Sequence, residues 1–190
     1  INISNQFAQV LLGYSQSANT VRLFENDLTL DRDGVMQNVF VVPFSRLITK
    51  DQIKKGTFSL QVGTGNFDHN ETGAGKGGPF QNNTGVSRLL TIQDLSASDS
   101  GGTQSTIGGD YGVLYVSNAS ITNYPSDKGV GVIFYQSGVM ILTASVFDGA
   151  GNDFIVNGGS TGDLSQSVSQ AFTGSSISAS CNGFRHRLYN

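Results

Sequence analysis

Chemistry in this chain would have to come from a short roster of residues. The only histidines are His69 and His186, the only cysteine is Cys181, and the only glutamates are Glu25 and Glu71. Asp31-x-Asp33-Gly34 resembles part of a calcium loop. An EF-hand register on Gly34 would put Thr29 at the first ligand position and Phe40 at the last, where a bidentate Glu is required. A turn between two strands accounts for Asp31–Gly34 better, because Asp initiates turns and Gly accepts positive φ. Gly73-Ala74-Gly75-Lys76-Gly77-Gly78 has the glycines and the lysine of a phosphate loop. It lacks the Ser or Thr after the lysine, and no helical pattern follows, so it reads as a flexible loop. Asp68-His69 lacks a defined serine partner, and no Gly-x-Ser-x-Gly elbow is present. Two histidines and one cysteine do not make a zinc site. Paired carboxylates for glycoside cleavage remain conceivable, but with two glutamates and no tryptophan to stack a sugar, hydrolysis is a minor reading. The Asn-x-Ser/Thr triplets at Asn2, Asn70, Asn82 and Asn118 are what chance gives in a chain so rich in these residues. No catalytic, cofactor-binding or metal-ligating residue is assigned, and the chain is expected not to be an enzyme.

The elements that would position any site are mostly strands. From Lys128 to Phe147 the sequence is almost continuously apolar, broken only at Gln136-Ser137-Gly138. Arms at Val130–Tyr135 and Val139–Phe147, apolar at consecutive positions, predict a hairpin covered on both faces. Upstream, Tyr111–Val116 predicts a strand that pairs with this hairpin into a meander. Thr57–Val62 alternates, with Phe58, Leu60 and Val62 on one face. Val86–Leu95 predicts another strand. Short strands at Val21–Phe24 and Leu28–Leu30 precede the turn, and Val35–Phe44 is expected to return antiparallel to them, with Pro43 marking an edge or a bulge. Phe154–Val156 is a further candidate edge strand.

Helices are few. Ser4 is a candidate cap for a short helix through Phe7, Ala8, Leu11 and Leu12, ended by Gly13, although an irregular strand fits nearly as well. Thr49-Lys50-Asp51-Gln52 fits a capping box, with Gly56 as the stop. Asp163 and Gln166 open a third candidate helix, carried by Leu164, Val168, Ala171 and Phe172 and closed by Gly174. Ile177–Phe184 is either a second short helix in this region or irregular, and Arg185–Tyr189 has the pattern of a beginning strand. Gly63–Gly85 and Ser96–Gly109 read as glycine-rich loops. The expected fold is mainly β, an antiparallel meander or sandwich-like arrangement with two or three short helices, in one domain spanning 1–190.

Composition limits the function classes. Charged residues make up 13% of the chain, against roughly 25% in an average globular protein, so solubility rests on Ser, Thr, Asn and Gln. A net charge of −3 argues against a duplex nucleic-acid binder, which needs a basic face. The basic residues nearest to a cluster are Lys50, Lys54 and Lys55, then Arg185 and Arg187. They read as solvated side chains. A single cysteine excludes an intramolecular disulfide framework, and no apolar run reaches the roughly 18–20 residues of a membrane helix. The start at Ile1 rather than Met suggests an internal segment of a longer polypeptide.

Several stretches carry a family resemblance. Ile3–Gln9 (I-S-N-Q-F-A-Q), Ser15–Phe40 (S-Q-S-A-N-T-V-R-L-F-E-N-D-L-T-L-D-R-D-G-V-M-Q-N-V-F), Gly129–Phe147 (G-V-G-V-I-F-Y-Q-S-G-V-M-I-L-T-A-S-V-F) and Phe184–Asn190 (F-R-H-R-L-Y-N) resemble segments of large virion structural proteins of marine contractile-tailed phages, notably the cyanophage myoviruses. The resemblance implies a virion component of the tail, baseplate or neck, whose partners are other virion proteins and copies of itself. It transfers no functional residue. The alternative from the residues is a receptor- or glycan-binding adhesin module that uses the glycine-rich loops; a tail-associated polysaccharide depolymerase comes third.

Overall fold

The structure, a computed structural model, describes residues 3–15, 19–25, 34–36, 38–44, 52–63, 89–98, 102–117, 129–144, 148–149, 152–153, 181, 184–185 and 188. In chain order the elements are α1 (Ile3–Leu11), β1 (Val39–Pro43), β2 (Ser59–Gly63), β3 (Leu89–Gln93), a 3-10 turn (Leu95–Ser98), β4 (Thr103–Thr106), β5 (Gly109–Val116), β6 (Gly129–Phe134), β7 (Val139–Thr143), β8 (Asp148–Gly149) and β9 (Asn152–Asp153). The fold is mainly antiparallel β. The chain divides into two compact units, Ile1–Ser59 with Gln93–Tyr115 and Ser126–Thr143, and Leu60–Ile92 with Val116–Pro125 and Ala144–Asn190.

The first unit is built on the predicted hairpin. β6 and β7 pair antiparallel from Gly131↔Leu142 to Phe134↔Val139, and every residue of β6 is buried. One face of the pair, Val132, Phe134 and Ile141, packs against Ala8 and Leu11 of α1, against Leu12 just after it, and against Phe24, Met36 and Tyr111. The opposite face, Ile133, Met140 and Leu142, is equally closed to solvent. Burying both faces removes apolar side chains worth ~1.5–3 kcal/mol each from water, and it explains why this stretch is apolar at every position instead of every second one. Gly131 has a packing role: a Cβ there would lie 2.2 Å from the Ile141 carbonyl oxygen.

β5 pairs with β6 from Tyr111↔Phe134 onward, with a register shift between Leu114 and Tyr115. The expected β5–β6–β7 meander is therefore present. The connection at the hairpin differs by one residue. The loop is Tyr135–Gly138, closed by the Gly138 amide donating to the Phe134 carbonyl at 2.9 Å, with Gly138 at φ +61°. Tyr135 thus leaves the strand, and its side chain serves another purpose described below.

Three expectations are extended or corrected. β1, the later part of Val35–Phe44, pairs along its length with β7, Val39↔Thr143 to Pro43↔Val139. The expected antiparallel return is present at the start of that run: Glu25 bridges Val35 and the Met36 amide donates to the Phe24 carbonyl, with Gly34 at φ +67° in a turn. Pro43 does sit at the open end of β1, the outermost strand next to β7. Second, Gln52–Gly56 is not helical; the Ile53 amide donates to the Tyr135 carbonyl instead, and Gly56 takes φ +72° in a turn. A two-turn helix gains too little by itself to outcompete such a tertiary hydrogen bond. Third, the supposed loop Ser96–Gly109 contains the 3-10 turn and β4, which pairs with β5 from Thr103↔Gly112 to Thr106↔Gly109.

α1 forms as its apolar spacing predicts and ends at Gly13, φ +78°, whose amide reaches back to the Ala8 and Gln9 carbonyls. Ser4, the predicted cap, lies one residue inside the helix, in its first turn. In the second unit β2 and β3 are neighbours, with Leu60, Val62, Leu90 and Ile92 buried. Val62 bridges Leu188, and the Ser117 amide donates to the Thr91 carbonyl at 2.9 Å. Cys181, Phe184 and Arg185 are helical. The expected strands at Leu28–Leu30 and Phe154–Val156, and the helix opened by Asp163, lie outside the described residues, as does the Gly63–Gly85 loop beyond Gly63 itself.

Candidate functional site

A buried polar cluster is centred on Asp94, just after β3. Its carboxylate is 1% exposed. Oδ2 accepts from the Gly56 amide at 2.7 Å and the Tyr135 hydroxyl at 3.0 Å, and Oδ1 accepts from the Phe58 amide at 2.9 Å. Its own carbonyl accepts from the Ala97 amide, which closes the 3-10 turn. A buried charge is tolerated only where such donors replace water, and here three do.

Tyr135 is the other half of the cluster. Its amide donates to the Asp110 carbonyl, its carbonyl accepts from Ile53, and its hydroxyl donates to Asp94. Burial pushes the Tyr135 phenol far above its usual range, and the Asp94 charge and hydrogen bond push it the same way. Gly112 makes room for that hydroxyl: a Cβ at Gly112 would lie 2.1 Å from it. Lys55 sits over the Tyr135 ring, with Nζ 5.9 Å from its centroid, and pairs with Asp110 at 2.6 Å. The Lys55 hydrogen bond holds the Asp110 carboxyl below its usual range, helped by a hydrogen bond from Ser105.

An Asp, a Tyr and a Lys within reach of one another have the residue types of an acid–base site. The geometry gives them a different use. Asp94 and Tyr135 are closed to solvent, and the hydroxyl proton is committed to the carboxylate, so neither can meet a substrate. The cluster pins the Lys54–Phe58 turn, the 3-10 turn and the β6–β7 loop to one another.

Beside it an open groove of about 610 Å³ runs between the end of α1 and the β4–β5 and β6–β7 loops, lined by Val10, Ile107, Ser105, Asp110, Gln136 and Ser137 among others. Its hydroxyls are already engaged. Thr106 donates to the Leu11 carbonyl at 2.7 Å and Ser137 to the Gly108 carbonyl at 2.7 Å, while the Gly108 amide also donates to Leu11. These bonds satisfy a carbonyl left open at the C-terminus of α1 and fix the β4–β5 turn against it. Among the described residues no imidazole or thiol lines the groove.

Of the residues singled out from the sequence, Lys55 joins the cluster, whereas Lys54 is exposed. Glu25 is buried beside the Val35 bridge. Cys181 is a free, exposed thiol and Arg185 is exposed. His69, His186, Asp68, Glu71, Lys50, Lys76, Arg187, Asp31, Asp33 and the Asn-x-Ser/Thr asparagines lie outside the described residues. Asp94 and Tyr135 were not flagged by sequence reasoning. The only signal was an acidic residue directly following an apolar strand. Among the described residues no group of three His, Cys, Asp or Glu side chains could hold a metal ion, and no helix is long and apolar enough to cross a membrane. No protein-family model, curated protein or solved structure matches the chain.

Proposed function

We propose that this protein is a structural component of a phage virion, built into the tail, baseplate or neck, and that its work is to hold neighbouring subunits, copies of itself included, in register. It is not an enzyme on this reading. The observation that carries the proposal is where the polar chemistry is spent. The buried acid–phenol pair and the groove hydroxyls are committed to fastening loops to one another, while large apolar side chains stand on the surface at Ile3, Phe7, Val10 and Ile107. A rigid β scaffold with interior locks and an apolar, weakly charged exterior suits repeated packing, where like charges would accumulate repulsion. The sequence resemblance to virion proteins of contractile-tailed phages points the same way.

Peptide mass spectrometry of gradient-purified particles tests this reading. The expected result is stoichiometric recovery of the chain, co-sedimenting with the tail proteins. Recovery only from the particle-free lysate would overturn it. An adhesin would instead be recovered as a soluble head that binds glycan or host cells, and a depolymerase would cleave polysaccharide across a broad panel.

A further inference from the structure

α1 carries two apolar faces where one is enough to fold it. Successive residues turn by about 100° around a helix. Ala8, Leu11 and Leu12 share the sector that faces the core, and Asn5, Gln6 and Gln9 form a polar sector. Ile3, Phe7 and Val10 form a third sector, apolar yet 67%, 37% and 67% exposed. Just past the end of α1, Ile107 extends the same surface from the tip of the β4–β5 turn at 80% exposure. It lies close over the helix terminus, since a Cβ at Gly13 would be 2.5 Å from its Cδ1. Val10 and Ile107 flank the same groove, whose wall also carries Ser105, Thr106, Asp110, Gln136 and Ser137. Ile and Val are weaker helix formers than the Lys, Glu or Gln that a solvent-facing position favours, and at 67% exposure Ile3 and Val10 add little to the core.

We infer that this sector is a contact between copies of the chain, with α1 of one molecule laid antiparallel on α1 of another. The inference rests on the assembly reading above and names the surface that reading requires. Two observations select a second copy as the occupant. The 3→7→10 spacing, four residues then three, is the seam that one helix offers to another helix. Ile3–Leu11 contains no ionisable residue, so a two-fold pair brings the patch onto itself without like-charge repulsion, and a charged partner would gain nothing from it. The exposed area of the four side chains comes to roughly 500 Å², below the ~800 Å² per partner of a stable dimer. Such a contact is weak between free molecules and becomes effective when many copies are held together. In the antiparallel pair Phe7 of one copy meets Val10 of the other, and Ile3 of each points toward the other's Ile107.

Analytical ultracentrifugation of the whole chain, from micromolar to millimolar concentration, tests this. The expected result is a weight-average mass that rises with concentration. Val10→Glu should weaken the association by about tenfold or more, roughly 1.4 kcal/mol, while leaving the circular dichroism spectrum and melting curve unchanged. The double variant Phe7→Lys/Val10→Glu, in which opposite charges meet across an antiparallel pair, should recover association, whereas Phe7→Lys alone should not. A chain that stays monomeric throughout overturns the inference. So does self-association that Val10→Glu leaves untouched, although the assembly reading would then survive with a different surface. Weakening by both single variants without recovery in the double variant overturns the antiparallel pairing. If instead α1 pairs as stated and the chain is missing from purified particles, the virion reading fails and the contact stands.

Discussion

Asp94 and Tyr135 show how few side chains fix the first unit. Removing the carboxylate leaves the Gly56 and Phe58 amides and the Tyr135 hydroxyl without their acceptor. Asp94→Ala should therefore destabilise the fold by at least about 3 kcal/mol in urea unfolding. Gly112→Ala reaches the same bond from the other side, because its methyl would occupy the hydroxyl's place; a loss of about 1–3 kcal/mol is expected. The phenols give a pH signature. Burial raises Tyr135 and, opposed by Arg22, Tyr111. A group raised in the folded state adds stability that is fully present below its unfolded value, about pH 10, and is lost as pH climbs through the folded value. An ultraviolet titration should thus show these two of the six tyrosines ionising late, together with unfolding. Asp110 works in the opposite direction. Its lowered carboxyl contributes above the unfolded value near pH 4 and loses that contribution as acid titrates the folded form, an effect that Asp110→Asn should abolish. Of this cluster only Lys55 was singled out in the sequence, because a lone Asp after a strand and a Tyr at a strand end are ordinary until the fold brings them together.

At the scale of elements, legibility followed the strength of the local pattern. β6 and β7 were readable because an unbroken apolar run has few alternatives once Gly138 supplies the turn. β2 was readable from its alternation, with Leu60 and Val62 inward and Ser59 outward. β4 was missed because Thr103–Thr106 is wholly polar and flanked by glycines; what makes it a strand is its pairing with β5, which no local property encodes. The helix expected before Gly56 failed for a related reason, since a capping pattern of one or two turns yields to a tertiary partner, here the Tyr135 carbonyl. For α1 the spacing announced a helix but not which of its apolar residues would stay outside. The β6–β7 pairing itself can be probed at Gly131, where any Cβ collides with the backbone of β7. Unlike a clash with a flexible side chain, this one cannot relax locally. Gly131→Ala is expected to cost about 3 kcal/mol or more, at the upper end of overpacking effects, read as a large fall in denaturation midpoint. A loss under ~0.5 kcal/mol would show that the strands are not packed as described.

At the scale of the molecule, the low charge, the interior locks and the doubled apolar character of α1 form one pattern. On the proposed reading, polar groups hold the scaffold's loops together and apolar groups are left where other copies would meet them. Because Ile3–Leu11 is uncharged, association through it should be insensitive to added salt, in contrast to a charge-steered contact. Among the described strands β1 is outermost beside β7, and on the proposed reading such an edge is a further place for a neighbour to pair. The central claim is that this chain is part of a built particle. A cryo-EM map of the intact virion tests it most directly. The predicted result is repeated density in the tail, baseplate or neck that fits the β5–β6–β7 meander with α1 against it, with Ile3, Phe7 and Val10 at a contact between copies. A map whose tail, baseplate and neck are fully accounted for by other chains would contradict it.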